Sequence, residues 1–240
     1  MRSIKKILIH HKTGKKFFVK DTSDKFHTQF GEIKNFKSDT VESSKGEKFS
    51  VIEPNFADLW ENMKRGPQVM IQKDIGLVLA KTGVNKNSKV VDAGGGSGSL
   101  CLSLANICKE ITVYEINPEH FDIVNKNKQL LGMKNLNLKQ DNIYDGIKEK
   151  NLDLINLDLP EPWRVTEHAS MALKEGGHLV IYLPNLNQVK MFIDSTRGTR
   201  IKVIETVELL ERKWNITDKT MRPEFQMLGH TGFLVFCRKL

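Results

Sequence analysis

The 240-residue sequence carries 37 Lys and Arg against 29 Asp and Glu, a formal charge of +8, and 39% hydrophobic residues. That length and apolar content suit a sizeable globular domain with an appendage, and they exclude a low-complexity disordered chain. The longest early apolar run, Ile7-Leu8-Ile9, is cut by His10-His11-Lys12, which excludes a signal-peptide core, and no stretch approaches a membrane span. A soluble cytoplasmic protein without a membrane partner is therefore expected. Cys101, Cys108 and Cys237 show no metal-ligand spacing, so no metal site is expected. Cys101 and Cys108, seven apart, should share one helix face and pack in the core.

Residues 1–60 read as a small β-rich N-terminal domain, with strands at 4–10, 16–20 and 49–52 separated by Gly, Asp and Ser turns. The first 20 residues carry seven Lys or Arg and no acid, and Arg197, Arg200, Lys202, Arg212, Lys213, Lys219 and Arg222 form a second basic group. Such charge suits either a polyanionic partner or a solvated lysine-rich surface. Phe26, His27 and Phe30 could stack on bases or fill a core. Residues 61–240 alternate helix and strand: a helix over 73–82, then strands at 89–92, 111–115, 136–140, 152–157 and 177–183. This α/β alternation predicts a mostly parallel sheet with helices on both faces. The apolar segments 201–214 and 232–238, with no helix signal between them, should close the sheet as an antiparallel hairpin.

Two motifs carry chemistry. In Lys89-Val90-Val91-Asp92-Ala93-Gly94-Gly95-Gly96-Ser97-Gly98-Ser99-Leu100, a strand runs through a glycine turn into a helix. Glycines 94, 96 and 98 let the backbone approach a ligand closely and present free N–H groups at a helix start. The position that the third glycine of the dinucleotide pattern would take is Ser99, which favours S-adenosyl-L-methionine over NAD. Glu115, about 20 residues past the glycines at the next strand end, can accept both ribose hydroxyls. Asp141, one strand later, sits where an acceptor could read the adenine amino group. The second motif, Asp158-Leu159-Pro160-Glu161-Pro162-Trp163, follows an apolar strand and falls at the carboxyl edge of the sheet, beside the cofactor. Two prolines stiffen it, Trp163 offers an apolar wall, and Asp158 presents a carboxylate toward a substrate base.

Together with Arg65-Gly66-Pro67-Gln68, Lys73-Asp74, Tyr114 to His120, Arg222-Pro223 and Gly229-His230-Thr231-Gly232-Phe233-Leu234, these motifs make the chain resemble the tRNA adenine-N1 methyltransferase family in its archaeal form. The resemblance spans nearly the whole chain. It implies a class I methyltransferase fold, a Rossmann-like seven-stranded mostly parallel sheet with a C-terminal antiparallel hairpin. It also implies methylation of adenine in tRNA, at position 58 alone or at 57 and 58, and a homotetramer. Carried over, Ser97, Gly98, Ser99 and Leu100 would line the methionine and ribose side, and Glu115, His120, Asp141 and Asp158 would complete the cofactor contacts. Asp158 would also be catalytic, and Gln68, Trp163, Arg222 and His230 are candidate substrate contacts. The sequence leaves two alternatives: a methyltransferase for a corrinoid precursor or protein side chain, and a non-catalytic tRNA-binding subunit.

Overall fold

The computed structural model describes residues 4–66 and 69–240. Their contacts divide into two compact units, one of residues up to Lys64 with Lys126–Gly132, the other Arg65–Asn125 with Met133–Leu240.

In the first unit, β1 (Lys6–His10) lies between β2 (Lys16–Val19) and β6 (Lys48–Ile52), and β5 (Thr40–Glu42) extends the sheet beyond β6. A separate hairpin joins β3 (Phe26–Thr28) to β4 (Gly31–Ile33). Strands β3, β4 and β5 have three residues each, too short for an alternation signal in the sequence. Leu8, Val19, Ile33, Val41 and Phe49 form the core, with Phe26 and Phe30 packed against it, so these two rings are core residues and not free stacking platforms. Much of the local basic charge is paired: Lys6 with Glu53, Lys12 with Glu47, Lys16 with Asp58, and Lys25 and Lys34 with Glu32. Helix α1 (Phe56–Glu61) starts at a reciprocal cap between Asn55 and Asp58.

The second unit is built on a seven-stranded sheet. Its strands are β7 (Lys89–Ala93), β8 (Glu110–Tyr114), β9 (Leu136–Lys139), β10 (Leu152–Leu157), β11 (Leu173–Leu183), β12 (Ile201–Val207) and β15 (Phe233–Lys239), in the order β12-β15-β11-β10-β7-β8-β9. All neighbours are parallel except those of β15, which runs antiparallel to β11 and β12. Val91, Ile155, Leu179 and Ile181 cluster with Val189 and Phe192 of α6 (Leu186–Ser195) and with Ala169 of α5 (Thr166–Ala172). Val90, Leu154 and Val180, which alternate with them, are also buried, so both sheet faces are covered, as near-continuous apolar strands require. The order reverses between β7 and β10, and the carboxyl ends of these two strands define the crevice where an open sheet binds ligands.

Three expectations need correction. Residues 201–214 are not one strand: β12 stops at Val207, and Trp214 opens a separate two-stranded ribbon of β13 (Trp214–Thr217) and β14 (Thr220–Pro223) inside the connection to β15. The charged stretch Glu208 to Lys213 breaks the apolar pattern there. Strand β11 begins at Leu173, four residues earlier than expected, through an irregularity opposite Leu152–Leu154 that positive-φ Gly176 accommodates. Cys108 lies beyond α3 (Ser99–Ala105) and so shares no helix face with Cys101, although all three cysteines are buried and free.

A buried polar cluster ties α2 (Gln72–Thr82) to the end of the chain. Asp74 is fully buried, and its carboxylate accepts from Lys73 Nζ at 2.7 Å, Thr231 Oγ1 at 2.8 Å and Tyr182 Oη at 3.4 Å. Lys73 Nζ also donates to Thr231 Oγ1 at 2.6 Å. Next to Thr231, a Cβ on Gly232 would come 2.6 Å from the Tyr182 ring, which restricts that position to glycine. The Lys73-Asp74 and Gly229-to-Leu234 motifs are thus two halves of one structural contact. Replacing Asp74 by Ala strands a buried ammonium and should cost about 3–5 kcal/mol in urea unfolding, whereas a loss below about 1 kcal/mol would contradict this account.

Candidate active site

The strand-turn-helix motif forms as its sequence suggests. Gly94, Gly96 and Gly98 have φ of 84°, 54° and 86°, and Gly98 is the left-handed residue at the start of α3. Gly94 is further constrained by a neighbour: a Cβ there would lie 2.0 Å from the carbonyl oxygen of Asp158. The turn therefore runs directly against the second motif, and Asp158 N donates to Ala93 O at 2.9 Å. Register pairs Asn156 with Asp92 and Leu157 with Ala93, so β7 and β10 deliver their acids side by side.

Five polar side chains meet at this crevice. Asp92, 2% exposed, accepts from Asn156 Nδ2 at 2.7 Å. Glu115, 5% exposed, accepts from Gly96 N at 2.9 Å and from Asn117 N at 2.8 Å, leaving lone pairs on both oxygens for further donors. His120 Nδ1 stands 3.8 Å from the same carboxylate. The Asp158 carboxylate has no hydrogen-bond or ion-pair partner among the described residues, and burial pushes it up to about 7. Burial also drives Asp92 up to about 7 against the bond from Asn156, with the charges of Asp158 and Glu115 adding to the rise.

Met70, Asp92, Gly94, Ser97, Asn156 and Asp158 wall a tight pocket of about 20 Å³. Beyond Tyr114, a hollow of about 270 Å³ is lined by Asp141, Asn142 and Gly146. A larger surface cavity, about 620 Å³, lies away from these acids, with Lys89, Lys109, Lys134 and Lys150 among its walls. Chemistry and size disagree here, and the acid-lined crevice at the strand reversal is the candidate site, because there, among the described residues, the glycine turn, the carboxylates and the switch point coincide.

The structure brings together Gly94, Gly96, Ser97, Gly98, Ser99, Leu100, Glu115, His120 and Asp158. Asp141 borders the adjoining hollow and is paired with Lys148 at 3.2 Å. Trp163 is half-buried in the turn Pro162–Val165, and Arg164 beside it stacks 4.5 Å from the Tyr144 ring. Arg222 lies 3.8 Å over the Phe225 ring. His230 is occupied: Nδ1 faces Glu208 at 2.5 Å and Nε2 donates to Pro184 O at 2.8 Å, which raises its pKa and leaves it a clamp on the chain. Gln68 lies outside the described residues. Sequence reasoning passed over Asp92 and Asn156 as site residues. The available signal was a polar pair at matching positions near the ends of two apolar strands.

A Rossmann-like sheet with one antiparallel strand, a glycine turn and a strand-end acid at the switch point has the architecture of class I methyltransferases. The profile of the tRNA methyltransferase complex GCD14 subunit family matches residues 49–224. The tRNA (adenine(57)-N(1)/adenine(58)-N(1))-methyltransferase TrmI of Methanocaldococcus jannaschii is 32% identical, over 97% of this chain and 94% of its own. Two crystal structures superpose over the whole chain at 26% identity: a SAM-dependent O-methyltransferase of Thermotoga maritima, TM-score 0.86 over 94% of its length, and the tRNA (m1A58) methyltransferase TrmI of Aquifex aeolicus, TM-score 0.81 over 98%. The chain belongs to the GCD14/TrmI tRNA methyltransferase family.

The raised acids set a pH dependence. The folded chain holds the Asp158 proton up to about pH 7, while the unfolded chain releases it near its ordinary value of 3.8, so the native state binds more protons in that window and loses stability as pH rises through it. Asp158→Asn removes this cost and should raise the melting temperature at pH 7.5 by about 2–4 °C, with little change at pH 4. Equal melting of the two proteins at pH 7.5 would contradict a half-buried, unpaired carboxylate.

Proposed function

We propose that this chain transfers a methyl group from S-adenosyl-L-methionine to N1 of adenine in the T loop of tRNA, at position 58. The name of the 32%-identical archaeal relative supports 57 as a second site. The observation that carries the reading is the partnerless Asp158 carboxylate, held against the glycine turn in a chain of this family.

The turn of Gly94, Gly96, Ser97, Gly98, Ser99 and Leu100, whose glycines allow close approach, is suited to line the methionyl and ribose side of the cofactor. The spare lone pairs of Glu115 suit the ribose hydroxyls, with His120 beside them, and Asp141 at the edge of the neighbouring hollow suits the adenine amine. The donor set fits: a Cβ at Gly96 would meet nothing nearer than Gly94 O at 3.9 Å, so the turn has open space beside it, and the carboxylates of the crevice favour a cationic ligand. S-adenosylmethionine, when bound, supplies an electrophilic methyl on a sulfonium. Asp158 accepts a hydrogen bond from the exocyclic amine of the target adenine and so holds N1 in line with that methyl. Methylation at N1 would leave the ring positively charged, and the Asp158 carboxylate would stabilise that charge. Pro160 and Pro162 keep the loop stiff, so the carboxylate needs little reorganisation.

A T-loop adenine must leave its stack to be reached, which calls for a wide basic surface. We assign that role to the β-rich N-terminal domain of residues 1–60, with residues 61–240 as the methyltransferase domain working in the cytoplasm. A homotetramer fits the exposed apolar side chains Trp214, Ile216, Met221 and Phe225, the last 88% exposed, and a monomer in sedimentation velocity would contradict it.

The test is methyl transfer from labelled S-adenosylmethionine to unmodified tRNA, with nucleoside analysis of the product. The expected result is 1-methyladenosine, reduced about hundredfold or more in Asp158→Asn with tRNA binding retained. No incorporation despite cofactor binding, or full activity of the variant, would overturn the proposal.

A further inference from the structure

Asn156 has no role in the reading above, yet its environment calls for one. It is fully buried near the carboxyl end of β10, the central strand beside the switch point, where the neighbouring Leu154, Ile155 and Leu157 are all apolar. A polar side chain in such a place costs stability unless both of its ends are bonded. Only one end is. Nδ2 donates to Asp92 Oδ1 at 2.7 Å, and this bond fixes the amide so that Oδ1 is the end left over. Among the described residues that oxygen is buried with no hydrogen-bond partner.

The orphan acceptor lines the pocket with Asp92, Gly94, Ser97 and Asp158. A missing donor beside two carboxylates points to a cation with several N–H groups. A hydroxyl could satisfy one acceptor, but a primary ammonium can bond Asp92 and Asn156 together while neutralising the local charge.

We propose that Asn156 is a cofactor-binding residue, its side-chain carbonyl accepting a hydrogen bond from the primary ammonium of the cofactor's methionyl part while its amide holds Asp92 toward the same group. This rests on the S-adenosylmethionine reading and goes beyond it by naming a contact on β10, outside the glycine turn.

Calorimetric binding of S-adenosylhomocysteine and of its desamino analogue, which keeps the carboxylate and lacks the amine, tests the assignment in the wild type and in Asn156→Val. The wild type should prefer the amine about ten- to hundredfold. Asn156→Val should lose most of that preference while binding the desamino analogue within about twofold of the wild type. If valine prevents folding, Asn156→Ser, whose hydroxyl stops short of the pocket, gives the same comparison. An unchanged preference, or equal weakening of both ligands, would overturn the assignment. Failure of the wild type to bind either ligand would instead overturn the cofactor reading on which it rests.

Discussion

The backbone of the glycine turn and the backbone of the reaction loop are in direct contact, and the site depends on that contact. A single added Cβ at Gly94 would sit 2.0 Å from Asp158 O, a severe steric overlap. Because β7 and β10 are adjacent and in register, Asp92 and Asn156 are held side by side, and the bond from Asp158 N to Ala93 O ties the first loop residue after β10 to the same group. Their precision comes from strands, which hold side chains more rigidly than loops can. The Asp74 cluster adds a second brace, fastening the start of α2 to β11 through Tyr182 and to the terminal segment through Thr231.

That rigidity has an electrostatic consequence. Asp92 and Asp158 are both driven up to about 7, chiefly by burial, and the nearby Glu115 charge opposes ionisation of Asp92 further. An apolar replacement at any of these positions would make a more comfortable core. Retaining Asp92 and Asp158 where the described residues give neither an ion-pair partner is the trade of stability for function expected at a binding site. Here it gives a crevice complementary to positive charge, which suits both a sulfonium ligand and a base that becomes cationic as it is methylated.

Much of this was legible in the sequence because the site is local. The strand, the glycine turn, the acid at Glu115 and the rigid Asp158 loop each lie within a dozen consecutive residues, and their order follows from how open α/β sheets are wound. The parts that escaped depend on long-range pairing or on very short elements. Strands β3 to β5 are three residues long, and the β13–β14 ribbon interrupts what composition alone renders as a continuous strand. Asp92 and Asn156 are 64 residues apart and become partners only through sheet register. Lys73-Asp74 and Thr231, more than 150 residues apart, are visible as motifs, but their shared purpose appears only when the chain closes on itself. His230, which its sequence context leaves equally a substrate contact or a satisfied residue of the final segment, is bonded at both ring nitrogens.

The most direct measurement of whether these buried acids await a cation is proton release on cofactor binding, obtained by calorimetric titration of S-adenosylmethionine in two buffers of different ionisation enthalpy. With Asp92 and Asp158 partly protonated near pH 6.5, binding of a cation should expel roughly one proton per site there and close to none at pH 8.5. Binding at pH 6.5 with no proton released, or with protons taken up, would contradict the account.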